Sequence, residues 1–409
     1  MPYYFKRSDA VPLLQPVEFN KNSSGSQIEA WFAAIIAIRQ NLLFSFAMLP
    51  LEHGVTAAPV GENRLRDRSG KLYVLGGRQR KPGLQAPKEW WRWYEAALIL
   101  EVAADSGEVR TCVEYETPPE ARAGDKASIN FHSGAVVGNT LYTCTTTEVL
   151  VYKLPDFQQI GYISLPCFND LHHVTPSSDG NLLVVSTGLD MVVKVTPQGR
   201  VLEYWNVLKE DPWARFSRDV DYRKVETTKP HAAHPNFVFE LDDEVWVTRF
   251  YLLDAVSLNG SRRRIEVSGE RPHDGLIRGE RIYFTAVDGK IVMVNRRSLE
   301  IEQTIDLREI QDRDGVVLPA WCRGLWPLDD RHFWVGFTRI RSTLLRENVR
   351  WVKTVLNEGT IVKPTHLALY DIVEKKCLKE IDLEPFGMNA IYGIFPADGG
   401  LDSRTGLAV

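Results

Sequence analysis

Cysteine is scarce in this chain. Five occur among 409 residues, at Cys112, Cys144, Cys167, Cys322 and Cys377, and no two are spaced as CxxC. An odd, scattered set argues against a disulfide framework and a thiolate zinc motif, and favours a reducing compartment. Excess charge of either sign is also lacking. The 49 basic and 53 acidic residues leave a formal net charge of −4, which argues against nucleic acid as the main partner. No secretory leader is legible in Met1-Pro2-Tyr3-Tyr4-Phe5-Lys6-Arg7, which has no apolar core before a small-residue cleavage site. The strongest apolar run, Trp31 to Pro50, has Arg39, Gln40 and Asn41 at its middle and makes a poor membrane span. The expectation is a cytoplasmic protein without a membrane span that works on a small molecule.

The hydrophobic content of 44% is ample for a large core. Ser26-Gln27-Ile28-Glu29 has capping-box form and predicts a helix over 27–40, with Ile28, Trp31, Phe32 and Ile35 on one face. A strand from Leu42 to Leu49 is expected to follow. Arg64 to Lys88 is rich in lysine and arginine and reads as a solvated loop. From about residue 90 the pattern is β. Short runs of Val, Ile, Tyr and Trp alternate with Gly, Asp, Asn and Pro turns. Asn181 to Thr187, Met191 to Val195 and Val201 to Trp205, with the strand before them, make a four-stranded meander. The same unit recurs after residue 233 and after residue 271.

A histidine stands at the start of four such units: His132, His173, His234 and His273. His132 lies 41 residues before His173, and His234 lies 39 before His273. Both spacings match the roughly 40-residue period of four-stranded propeller blades. Two units continue the series without histidine, one at Trp321-Cys322-Arg323 and one at Asn389-Ala390-Ile391-Tyr392. The last has no strands after it, so Trp91 to Glu101 and Glu108 to Tyr115 are expected to complete it and close the ring. The prediction is an all-β, six-bladed propeller over residues 90–409. Residues 1–89 form an N-terminal helix-containing extension that packs on it or contributes to it. Insertions at Leu208 to Lys229 and Arg341 to Lys363 are expected to overhang one face as lids.

Imidazoles brought to one axis allow three readings. They can hydrogen-bond around a wet channel, leaving a propeller that binds a ligand or protein without catalysis. They can hold a transition-metal ion through His132, His173, His234 and His273, with Asp170, Asn236 or Asp274 orienting the rings, for an oxygenase or lyase reaction. Or they can act directly as nucleophile, acid and base.

The wording of three blades sharpens the last reading. Phe168-Asn169-Asp170-Leu171-His172-His173, His234-Pro235-Asn236 with Val247-Thr248-Arg249, and Pro272-His273-Asp274 together resemble the inner strands of arylsulfate sulfotransferases. The resemblance spans roughly residues 165–295. It implies a six-bladed propeller that needs no cofactor and in which His273 carries the sulfuryl group between two phenols. It also implies that His173 (or His172), His234, Asn236 and Arg249 surround that group. Arg323, Asn389 and Tyr392, in the remaining blades, join His172 as candidate substrate-binding residues. One blade also resembles streptogramin lyase, in which a histidine strand precedes an Asp-Gly-Asn-Leu turn such as Asp179-Gly180-Asn181-Leu182. His132 has no counterpart in the sulfotransferase pattern, which keeps the metal reading open. The expected substrate is a small, aromatic anion.

Overall fold

A computed structural model describes residues 70–81, 93–260, 262–267, 271–310, 321–339 and 363–397. The expected helix over 27–40, the strand over 42–49 and the insertion at 341–363, save its last residue, lie outside the described residues. Among the described residues no helix is long and apolar enough to cross a membrane.

Among the described residues, twenty-four strands form six antiparallel sheets of four. The first blade holds β4 (Gly134–Val137), β5 (Thr140–Cys144), β6 (Val149–Lys153) and β7 (Gln158–Ile163). The second holds β8 (Leu171–Pro176), β9 (Leu182–Ser186), β10 (Met191–Val195) and β11 (Val201–Asn206). The third runs through β12 (Pro235–Leu241), β13 (Glu244–Arg249), β14 (Asp254–Ser257) and β15 (Arg264–Glu266). The fourth contains β16 (Pro272–Arg278), β17 (Arg281–Ala286), β18 (Lys290–Asn295) and β19 (Ile301–Asp306). The fifth contains β20 (Trp321–Pro327), β21 (His332–Thr338), β22 (His366–Asp371) and β23 (Lys376–Asp382). In the sixth, β24 (Ala390–Pro396) pairs with β1 (Lys71–Gln79), followed by β2 (Tyr94–Ala103) and β3 (Val109–Tyr115).

Each first strand touches its counterpart in the next blade, and the contact from β24 to β4 closes the circle. The architecture is therefore a six-bladed propeller whose last blade joins both ends of the described chain. This corrects the reading of residues 64–88 as a solvated loop. The segment contains β1, whose Leu72, Tyr73, Val74 and Leu75 are buried, and whose Arg78 pairs with Glu95 and Glu114.

Local sequence explains the blades. Gly138-Asn139 makes the two-residue hairpin between Val137 and Thr140, with Gly138 at φ 58°. Alternating Val, Ile and Leu on successive strands pack sheet against sheet. Leu183, Val185, Val192, Val238, Val245 and Val247, for example, form one layer between the second and third blades. All five cysteines are free, and four are buried in such layers.

The innermost strands are not regular. Pairing skips a residue at His172 in β8 and at Tyr392 in β24. In β12, β16 and β20, two residues face one at Asn236–Phe237, His273–Asp274 and Arg323–Gly324. Five of six inner strands thus carry a bulge at the same height. A bulge swings a side chain out of the alternation of its strand. Hydroxyls on the neighbouring strands satisfy the displaced backbone: Thr248 Oγ1 accepts from Phe237 N at 2.9 Å and Thr285 Oγ1 from Asp274 N at 3.2 Å. Gly324 lies at φ 75°, a conformation that favours glycine, and its N–H donates to Asp274 Oδ2. At Gly275 a Cβ would come within 2.7 Å of the Phe237 ring.

Thr285→Val should therefore leave the Asp274 N–H unsatisfied in a fully buried position. The expected loss is about 1–3 kcal/mol, read from the midpoint of urea unfolding. An unchanged midpoint would show that the hydroxyl does not hold the bulge.

Candidate active site

The bulges stand where the central channel changes character. One end opens as a chamber of about 390 Å³. The other end is a smaller, mainly apolar cavity of about 240 Å³ between the lower halves of the same strands. Every blade sends one side chain to the floor of the chamber: His132, His172, His234, His273, Arg323 and Tyr392. The rings are close. Centroid distances are 4.5 Å for His132–His172, 5.1 Å for His172–His234, 5.6 Å for His172–His273 and 4.4 Å for His132–Tyr392. The Arg323 guanidinium lies over Trp321 and Tyr392 at 4.8 and 4.7 Å.

The expected four-histidine set needs correction at one position. His172, not His173, faces the chamber. The bulge in β8 puts His172 out of register, and its Nδ1 donates to the Asp170 carbonyl at 2.9 Å. His173 turns to the other cavity, where Nε2 donates to Gly134 O at 3.1 Å and the ring packs on Phe237. A metal held jointly by His132, His173, His234 and His273 is therefore ruled out by geometry.

Three other expected site residues are structural. Arg249 makes a two-pronged pair with Asp254, at 2.8 and 2.6 Å, and donates to Val207 O. Asn236 is buried and donates to Pro272 O, tying the third blade to the fourth. Asn389 accepts from Gln79 N and donates its own N–H to Gly77 O, so it fastens β24 to β1. None of the three lines the chamber.

Sequence reasoning missed His231. It reaches the chamber from the insertion after β11, and its Nδ1 lies 2.8 Å from His234 Nδ1. That insertion is no free lid. Trp213, Phe216 and Tyr222 pack into the second blade, and Asn169 Nδ2 donates to Tyr222 O and Val225 O. It forms a fixed wall of the chamber. The only sequence sign was a second histidine, three residues before the one that fitted the repeat.

The electrostatics follow from burial. His132, His234 and His273 are held well below the ordinary imidazole range, first by burial and then by the neighbouring histidines and, for His132 and His273, by Arg323. His172 and His231 are lowered for the same leading reason. The rings are therefore neutral at pH 7. Burial pushes the Asp170 carboxyl up, but His172, Lys229, His234 and His231 outweigh it and bring it down to about 2. Burial raises Asp274 to about 6. His132 Nδ1, both nitrogens of His273 and Arg323 Nε are buried without a hydrogen-bond partner. His273 Nδ1 is 3.2 Å from Asp274 Oδ1, at an angle that makes no bond. Toward the mouth stand Lys126, Lys229, Arg122 and Arg223, with Asp170 and Glu226 as the lining carboxylates. Arg122 and Arg223 are paired elsewhere, whereas Lys126, Lys229 and Arg323 have no carboxylate partner among the described residues. The chamber is a positive funnel with aromatic walls above a floor of neutral imidazoles.

No family model and no curated protein matches the chain. Among solved structures it is similar to a Bacteroides caccae protein of unknown function. That match has 17% identity and a TM-score of 0.50, and covers 80% of this chain and 98% of the other. The nidogen/laminin complex matches at 8% identity and a TM-score of 0.46, over 80% and 97% of the two chains. Streptogramin B lyase matches at 15% and 0.37, over 58% and 68%. At these identities the likeness concerns the propeller fold alone.

Burying neutral histidines has a measurable consequence. When unfolded they take up protons near pH 6.5; when folded they do so only at lower pH, about 4 for His173. Their contribution is full above about 6.5 and is lost as pH falls from there toward the folded values. Asp274 works the other way between about 4 and 6 and offsets one histidine there. Urea midpoints should therefore fall steadily from pH 7 to pH 5. Each histidine contributes up to about 1.4 kcal/mol per pH unit. His132→Asn should make the fall shallower. A flat profile would mean the rings are charged in the folded protein.

Proposed function

We propose that the chamber is the active site of an enzyme that applies neutral imidazoles to a small aromatic anion, and that the reaction is sulfuryl transfer from an aryl sulfate. The observation that carries this reading is His273. Both of its ring nitrogens are buried and unpartnered, and Arg323 on the same floor has no carboxylate within salt-bridge distance among the described residues. Buried polar atoms without partners are rare, and at a chamber floor they are answered by a ligand. The cations at the mouth favour an anion, and Trp93, Phe250, Tyr251 and Trp321 offer surfaces for a ring.

In this reading a neutral His273 nitrogen attacks the sulfur. An N–S bond forms and the S–O ester bond breaks. The aryl oxide leaves with the electron pair and is protonated by solvent. Arg323 takes the place the resemblance assigned to Arg249, and holds the charge that develops on the sulfuryl and leaving oxygens. In the second half, His172 acts as base. Its Nδ1 donates to Asp170 O, so the lone pair is on Nε2. It takes the proton of an acceptor phenol, whose oxygen attacks sulfur as the N–S bond breaks, and later returns that proton to water. This reading keeps the resemblance to arylsulfate sulfotransferases at His172, His234 and His273, and departs from it at Arg249 and Asn236.

The test is release of nitrophenol from 4-nitrophenyl sulfate in the presence of a phenol acceptor. His273→Ala should abolish it, and donor labelled in the sulfuryl group should leave label on the wild-type chain but not on this variant. Arg323→Ala should slow turnover by about two to three orders of magnitude, as for loss of one charged transition-state partner. Arg249→Ala should lower stability rather than the rate per folded molecule. Turnover that survives His273→Ala, or no labelling across a panel of aryl sulfates, would remove this reading.

A further inference from the structure

Three ligand-type side chains outside the His273–Arg323 pair meet on one wall of the chamber. Asp170, His231 and His234 each offer an atom, and these atoms all lie within 4.8 Å of one another. Each comes from a different local device. Asp170 precedes β8, His234 precedes β12, and His231 comes from the insertion. We infer that Asp170, His231 and His234 form a binding site for one divalent transition-metal ion, held by two imidazoles and a carboxylate with open positions toward the chamber.

The ring nitrogens carry the argument. Thr228 Oγ1 gives its proton to Gly188 O at 2.5 Å, so toward His231 Nε2, at 3.4 Å, it can only accept. Nε2 of His231 therefore bears the proton and Nδ1 is bare. This is the outer partner that metal-bound histidines ordinarily have, and it fixes the tautomer. Without an ion the bare Nδ1 accepts from His234 Nδ1–H at 2.8 Å, and an ion would take the place of that proton, which moves to His234 Nε2. Two nitrogens at that separation, each about 2.1 Å from a shared ion, subtend roughly 80–90°, well short of a tetrahedral angle. That is the adjacent-ligand angle of five- or six-coordinate sites. Two histidines and one carboxylate on one face is the donor set of sites that leave positions free for substrate or oxygen.

The backbone is committed to this arrangement. Asp170 and His234 both adopt left-handed conformations, at φ 49° and 56°. Non-glycine residues in that region persist only where surrounding structure holds them, and such strain gathers at functional sites. Here the support is Asp190. Its carboxylate accepts from Ala232 N, Ala233 N and His234 N at 2.7, 3.0 and 2.9 Å, and pairs with Arg215. Asn169 pins the insertion from below. With one carboxylate, a bound divalent ion leaves the site with one positive charge, which adds to the chamber's preference for anions.

This inference does not rest on sulfuryl transfer, and the two fail separately. The probe is Co(II) alone, titrated into full-length protein carrying no histidine tag. One equivalent should bind, with the weak visible absorption of five- or six-coordinate cobalt rather than the strong bands of a tetrahedral site. The wild-type complex should show two paramagnetically shifted imidazole N–H signals. His231→Ala and Asp170→Ala should each weaken binding at least about 100-fold, and Thr228→Val, which removes the outer partner together with its bond to Gly188 O, by about 10- to 100-fold. His273→Ala should leave cobalt binding intact while abolishing any sulfuryl transfer. No saturable cobalt binding, strong tetrahedral bands, a number of shifted histidine signals other than two, or full affinity in a folded His231→Ala protein would overturn the site.

Discussion

The chamber depends on a mismatch repeated around the ring. Six inner strands approach one axis, and five of them accommodate an extra residue at the same level. Without the bulges, β pairing would alternate side chains between the two faces of each blade, and four of the six floor residues would lose their place on the axis. With them, His172, His273, Arg323 and Tyr392 leave the alternation and line the chamber floor. The cost is unpaired backbone, which neighbouring threonine hydroxyls satisfy. The hydroxyls of Thr248 and Thr285 are therefore as much part of the site as the rings they position.

Burial sets the chemistry of that floor. Histidines crowded together and removed from water lose their protons, so a cluster that would repel itself if charged becomes a set of lone pairs. The charge that remains belongs to groups that keep it: Arg323 on the floor, Lys126 and Lys229 at the mouth, and Asp170 on one wall. Neutral donors beneath a cationic rim suit an anion whose reactive end must be attacked or held. Asp170, His231 and His234 line the same chamber as His273 and Arg323, so the proposed nucleophilic centre and the proposed metal site would share one cavity.

Much of this was legible in the chain. The 40-residue spacing of histidines, the Gly-Asn and Asp-Gly turns and the missing last strands point to six blades closed by both ends, and the structure has that form. The residue that faces the chamber was also readable in five of the six blades, because a radial fold carries each repeat to the same place. What was not readable is register. His172 and His173 are adjacent, and only the bulge in β8 decides which of them faces the chamber. Arg249 and Asn236 matched a family pattern but serve Asp254 and Pro272. Composition hid β1, because a strand with lysine and arginine at its ends looks like a loop until Leu72 to Leu75 find their neighbours. His231 lay in an insertion, where no repeat gave it a position.

The six floor residues are scattered from His132 to Tyr392, and the strand that brings the last of them is held by β1 near the other end of the described chain. No partial fold can assemble the chamber. During synthesis the first five blades can form as they emerge, yet the floor lacks Tyr392 until β24 finds its place beside β1. The enclosed chamber thus arrives in one step, with the final join, and a nascent chain would carry exposed imidazoles but no enclosed site. The closure of the ring is, in effect, the commissioning of the protein.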